Sequence, residues 1–235
     1  MPLNKTAAAA LVLACALLGA VRAQAAPFAA IPRPLAPAVQ AALDAAVIDY
    51  QSAHLRPAQR AFERLAQRGV AAAEYNLAVM HLRAEVPRPD RALARRLLTR
   101  AAQGGFVTAQ VMLAQTFENG DWGPRDLLLA HRWFEVAAHN GSVDAQVAMG
   151  TAYFLGRGRP KDSAQAARWY REAAKAGDVG AMYLLASFYE QGDGVDQDLR
   201  QARYWYDIAA RNGDLAAPGK LLEIDARISA GVKPS

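Results

Sequence analysis

The sequence predicts an all-α solenoid of antiparallel helix pairs. Three observations predict it: a 36-residue period kept by many columns, a helix-favouring composition, and two apolar stripes of helical spacing in each period. Gly69, Gly105, Gly141, Gly177 and Gly213 keep the period, as do Ala73, Ala109, Ala145, Ala181 and Ala217. So do Asp90, Asp126, Asp162 and Asp198, then Ala94, Ala130, Ala166 and Ala202, and the pairs Ala101-Ala102, Ala137-Ala138, Ala173-Ala174 and Ala209-Ala210. An aromatic pair recurs as Trp133-Phe134, Trp169-Tyr170 and Trp205-Tyr206. No insertion breaks the register from Gly69 to Ala217. Alanine is abundant while Val, Ile and Thr are scarce, and alanine loses no side-chain entropy on becoming helical.

Residues 1–25 read as a secretory signal peptide. Lys5 precedes an apolar run from Ala7 to Val21, and Ala23-Gln24-Ala25 supplies a small-x-small cleavage signal. The run is short for a membrane span, and no later stretch is long and apolar enough to cross a bilayer. The expected location is therefore periplasmic or secreted after cleavage near Ala25. Val12-Leu13-Ala14-Cys15 offers a lesser, lipoprotein reading through Cys15, but the apolar run continues past the cysteine. Cys15 is the only cysteine, so a cleaved chain has no disulfide and must be held by packing. The net charge of +5 also falls to +3 once Lys5 and Arg22 are removed, leaving 25 basic against 22 acidic residues. So small a balance does not predict nucleic-acid binding.

Residues 26–37, with four prolines from Pro27 to Pro37, read as an extended lead-in. Residues 38–70 read as a degenerate capping helix pair: a first helix out of register, then Ala58, Phe62, Ala66 and Gly69 matching a second. Four repeats follow at 71–106, 107–142, 143–178 and 179–214. In the third, Ala145, Met149, Gly150 and Tyr153 make the stripe of a first helix, which Gly156 and Gly158 end. The second helix starts near Asp162 and carries Ala166, Trp169, Tyr170, Ala173 and Ala174 on one face. Gly177 closes it, and Asp178 caps the next helix. The aspartate column falls in the first turn of each second helix, where a carboxylate meets free N–H groups and the helix dipole. Residues 215–229 read as one closing helix with Pro218 early enough to be tolerated, and 230–235 as a tail. Alanine columns allow close helix approach while aromatics fill the space left over.

The stretch Gly192-Asp193-Gly194-Val195, followed by Asp198, Ala202, Trp205-Tyr206, Ala209-Ala210 and Gly213, resembles the Sel1-like repeat, a relative of the tetratricopeptide repeat. The resemblance covers residues 71–214. The first unit departs from it, with Ala84 and Val86 where loop glycines stand later and Leu97-Leu98 in place of the aromatic pair. The resemblance implies a right-handed superhelix and an adaptor or scaffold role in protein complexes. For exported bacterial members it also implies work in envelope assembly or host interaction.

Stacked first helices would line a groove for a protein partner. Alignment with the tetratricopeptide pattern puts Tyr75, Val79 and Leu82, then Val111, Gln115 and Glu118, then Val147, Thr151 and Phe154, then Tyr183, Ser187 and Glu190 in it. Tyr75, Phe154 and Tyr183 either anchor a partner or pack between helices. Arg88, Arg91, Arg95, Arg96 and Arg100 form a basic face offset locally only by Asp90, suited to an acidic partner or anionic envelope polymers, or simply solvated.

An enzyme is not expected, nor a cofactor. There is no nucleophile motif, phosphate-binding glycine loop or zinc-protease signature. His81 lies in the column of Phe117, Tyr153 and Tyr189 and is expected to pack. His131, Glu135 and His139 step along one helix on a stripe expected to face solvent, where a two-ligand surface metal site is conceivable but none is assigned. Cysteine-rich relatives described as β-lactamase-like make a hydrolase a distant alternative, and their cysteines are absent here. Exposed aromatics would equally serve an envelope glycan or lipid.

Overall fold

The computed structural model describes residues 34–231. The expected signal sequence, Cys15 and most of the proline-rich lead-in lie outside the described residues. Within them the chain is an all-α repeat solenoid of eleven helices with no strand. These are α1 Pro37–Gln51, α2 Leu55–Gln67, α3 Ala71–Leu82, α4 Arg91–Gln103, α5 Val107–Asn119 and α6 Leu127–His139. They continue as α7 Val143–Leu155, α8 Ser163–Lys175, α9 Val179–Gln191, α10 Leu199–Arg211 and α11 Ala217–Ser229. Two compact units are distinguished, one ending at Phe106 and the other beginning at Val107. Inside each, the substantial contacts join helices adjacent in the chain, as a stack of helix pairs requires.

Each second helix of a repeat begins at its aspartate. Asp90, Asp126, Asp162 and Asp198 accept backbone N–H groups of Leu93, Leu129, Gln165 and Gln201 at 2.9, 2.9, 3.0 and 3.0 Å. Asp178 does the same for α9, accepting from Ala181 at 2.6 Å. Such a cap stabilises a helix by about 1 kcal/mol, so the column is explained by helix starts. The aspartate's own N–H is also fixed. In the last three repeats it donates to the carbonyl of Phe117, Tyr153 or Tyr189. In the first it donates to Nδ1 of His81 at 3.1 Å. The ring is buried, as its column implies, and there it substitutes for a backbone acceptor.

The alanine columns form the contacts between helices. Ala73, Ala109, Ala145, Ala181 and Ala217 on the first helices and α11 are fully buried, as are Ala94, Ala130, Ala166 and Ala202 on the second helices. In the second unit the space between is filled by Tyr170, Leu185, Phe188, Tyr206 and Ile224. Gly150 shows how close the approach is: a methyl there would lie 2.8 Å from the Tyr170 ring. The unit closes at α11, where Ile224 is buried and Glu190 accepts from Tyr206 Oη at 2.9 Å and from Arg227 at 3.0 Å. In the first unit Phe62 is fully buried with the Tyr50 ring edge-on to it at 6.3 Å. Tyr50 donates to Glu85 at 2.7 Å, tying α1 to the loop after α3.

The loops between paired helices explain the remaining glycines and the weak first repeat. Gly194, at φ 71°, lies so close to the start of α8 that a Cβ would land on the backbone of Ser163 and Ala164. At the position where later loops have glycine, the first repeat holds Ala84 in the same left-handed conformation, at φ 56°. That conformation costs an ordinary residue about 1 kcal/mol. Ala84→Gly is therefore expected to stabilise the chain by roughly 0.5–1 kcal/mol in urea denaturation. Gly194→Ala, which adds a backbone collision to the same strain, should destabilise it by about 2 kcal/mol or more.

Candidate functional site

The first helices of the second unit lie side by side. Glu118 of α5 and Thr151 of α7 line one pocket of about 170 Å³, and the rings of Phe154 on α7 and Phe188 on α9 meet at 5.5 Å. Along this face Gln115 is exposed, while Val111, Glu118, Val147, Thr151, Phe154, Tyr183 and Ser187 are half-buried. Two proposed contact residues do not fit the expectation. Glu190 is buried because it closes the array through Tyr206, Arg227 and, at 3.7 Å, Lys220. Val79 of the first unit is also buried, among the core residues of α3, while Leu82 beside it is half-buried.

The aromatic candidates divide their surface between packing and solvent. Tyr75 lies 5.1 Å from Phe106, and Tyr183 sits edge-on to Tyr206 at 5.1 Å. Phe154 has the Lys161 ammonium 5.3 Å from its ring centroid. Thr151 shares a hydrogen bond of 3.1 Å with the Tyr170 hydroxyl, whose pKa burial raises. All three rings are structural supports with one side left over.

The pocket also contains His131, Phe134, Ala148, Ala152 and Arg157. This corrects the placing of His131 on a solvent-facing stripe. The loop from Gly156 to Asp162 folds over α6, and a Cβ on Gly158 would lie 2.9 Å from the imidazole. His131 is consequently buried, Arg159 approaches its Nδ1 at 3.4 Å, and the same guanidinium covers the Tyr153 ring at 4.4 Å. His139 is exposed and edge-on to Trp169 at 5.1 Å, so the two histidines do not share one open row.

All five arginines of the basic face are exposed. Asp90 is not their only local counter-charge: Arg100 pairs with Glu74, which is buried on α3. Burial pushes the Glu74 carboxyl above its ordinary pKa, and the Arg100 charge pulls it back. Arg100 is thus a structural partner, which leaves Arg88, Arg91, Arg95 and Arg96 as the candidate face. A different arginine row, Arg60 and Arg64 on α2 with Arg68 just past its end, lines a larger cleft of about 610 Å³.

Helix pairs of one period, started by aspartates and packed through alanines, define a helix-repeat protein. The Sel1 repeat family matches residues 71–106, 107–142, 143–178 and 179–214, and the chain belongs to that family. A solved Sel1 repeat protein from Oxalobacter formigenes is 30% identical, with a TM-score of 0.65, over 72% of this chain and 49% of that one. The solved structure of c5321, a protective antigen present in uropathogenic Escherichia coli strains and displaying an SLR fold, is 30% identical. Its TM-score is 0.71, over 84% of this chain and 43% of that one. The chain thus spans under half the length of either relative. Among curated proteins there is no match. Proteins of the family are generally non-catalytic scaffolds for protein interaction. Among the described residues no helix is long and apolar enough to cross a membrane.

Burial, and secondarily the charge of Arg159, hold the His131 pKa below its ordinary value. In the unfolded chain the imidazole takes up a proton near pH 6.5, which the folded chain resists. The stabilising contribution is complete above that pH and is lost as pH falls through the depressed folded value. Urea denaturation between pH 7 and pH 5 should show a smaller acid-induced loss of stability in His131→Gln than in the parent chain.

Proposed function

We propose that the chain is a non-catalytic scaffold of the bacterial cell envelope that holds a segment of a partner protein along the first helices of its second unit. The observation carrying this reading is the face shared by α5, α7 and α9. Exposed Gln115, half-buried Phe154 and Tyr183, and the pocket beside Glu118 and Thr151 offer apolar anchors next to polar groups. Rigid, partly packed aromatics lose little entropy on binding and often supply most of the energy of an interface. Family membership supports protein as the ligand class. The envelope location rests on the pattern of residues 1–25, and anionic envelope polymers are a secondary ligand for the arginine face.

A photo-crosslinking residue at Gln115 on α5, compared with one at exposed Arg168 on α8, tests the reading in cells of the source organism. Discrete protein adducts from position 115 that are absent from position 168 are expected, weakened several-fold when Phe154→Ala is added. Adducts only to polysaccharide, or the same adducts from both positions, would contradict it.

A further inference from the structure

We propose that the open cleft between α1 and α2 is a second docking site, one that takes an acidic amphipathic helix from a partner protein. It stands on the first unit alone and makes no use of the first-helix face of the second. The cleft, of about 610 Å³, is floored by small side chains. Ala42, Ala45 and Ala46 share one face of α1 because they lie at steps of three and four, and Ala61 faces them from α2. A floor of methyl groups lets another helix come within about 8 Å, axis to axis, as the alanine columns do inside the repeats. Ala42 and Ala45 are exposed, and α1 and α2 are the first helices among the described residues.

The charge of the cleft selects the occupant. Arg60, Arg64 and Arg68 line it at one-turn steps, a spacing of about 6 Å, and all three are exposed. Among the described residues none of them forms an ion pair, in contrast to Arg100 with Glu74. The one acid in the lining, Asp49, faces His54 at 3.4 Å. Glu63, elsewhere on α2, accepts from Gln59 at 2.8 Å, and Asp44 on α1 accepts from Gln40 at 2.7 Å. A helix carrying carboxylates at i, i+4 and i+8 beside an apolar stripe has the same rise and would meet all three arginines. Exposed ion pairs contribute little singly. Here they would act together with the burial of apolar surface, and they fix which helix fits.

Fluorescence anisotropy with the purified chain tests this. The probe is a labelled synthetic helix of about 15 residues with a leucine stripe and glutamates at one-turn spacing, and its control has lysine for every glutamate. Saturable binding of the glutamate helix is expected, weakening at least ~10-fold between 50 and 500 mM salt. Arg60→Glu with Arg64→Glu should weaken it ~10-fold or more, and so should Ala45→Trp, which fills the cleft without changing charge. Arg132→Glu with Arg168→Glu, two exposed positions outside the cleft and outside the arginine face near Asp90, should leave it within ~2-fold. Circular dichroism of each variant checks that it is folded. Several results would overturn the proposal: no binding, equal binding of the lysine helix, equal loss from the Arg132/Arg168 variant, or no effect of Ala45→Trp. Sedimentation showing a dimer that Ala45→Trp dissociates would also overturn it, by assigning the cleft to a second copy of the chain.

Discussion

The structure depends on one contact: small, fully buried residues that bring one helix close against the large side chains of its neighbour. Ala166, Ala181 and Ala202 have no accessible surface and share one core with Tyr170 and Tyr206, and on α7 a methyl at Gly150 would lie 2.8 Å from the Tyr170 ring of α8. The contact tolerates change in neither direction. A larger residue at an alanine pushes neighbouring helices apart, at a typical cost of about 1–3 kcal/mol. A smaller one at the tyrosines leaves a cavity costing about 3–5 kcal/mol. No helix pair satisfies the contact alone, so every pair needs a neighbour. After α10 that neighbour is α11, through Ile224 and the bonds to Glu190. Between α1 and α2 lies a cleft with a basic rim.

Because packing occupies the columns that keep the period, recurrence says little about function. The aspartates cap helices, and Gly194 makes room for the backbone of α8. The positions that vary between repeats and stay partly in solvent, such as Gln115, Thr151 and Phe154 on the first helices or Arg60 and Arg64 on α2, are the ones on which the proposals above rest. A scaffold of this kind needs a rigid frame and a surface free to vary, and the same stacking supplies both.

Much of the fold was legible because the period repeats its own controls: caps, alanines and aromatic pairs each fall at a fixed spacing that no other architecture explains as well. The site was legible less evenly. Glu190 has the helical position of a groove residue, yet it is buried because Arg227 and Tyr206 reach it from elements that follow it in the chain. No pattern within α9 announces that. His131 has the position of a surface residue, yet the loop after α7 folds over it, and Arg100 has that of a solvated cation, yet it pairs with the buried Glu74. In each case the missing fact was a contact with another helix or loop, which periodicity fixes on average and individual side chains decide in detail. The row Arg60, Arg64 and Arg68 was visible all along. It lies in a helix pair that matches the repeat poorly, so no periodic column marks it.

Hydrogen exchange across the second unit, in the parent chain and in Ala181→Leu, tests the central claim most directly. If stacking through the alanines holds the helix pairs, protection should fall in α9 and also in α8 and α10, while α5 keeps most of its protection. A loss confined to α9, or none at all, would contradict the account.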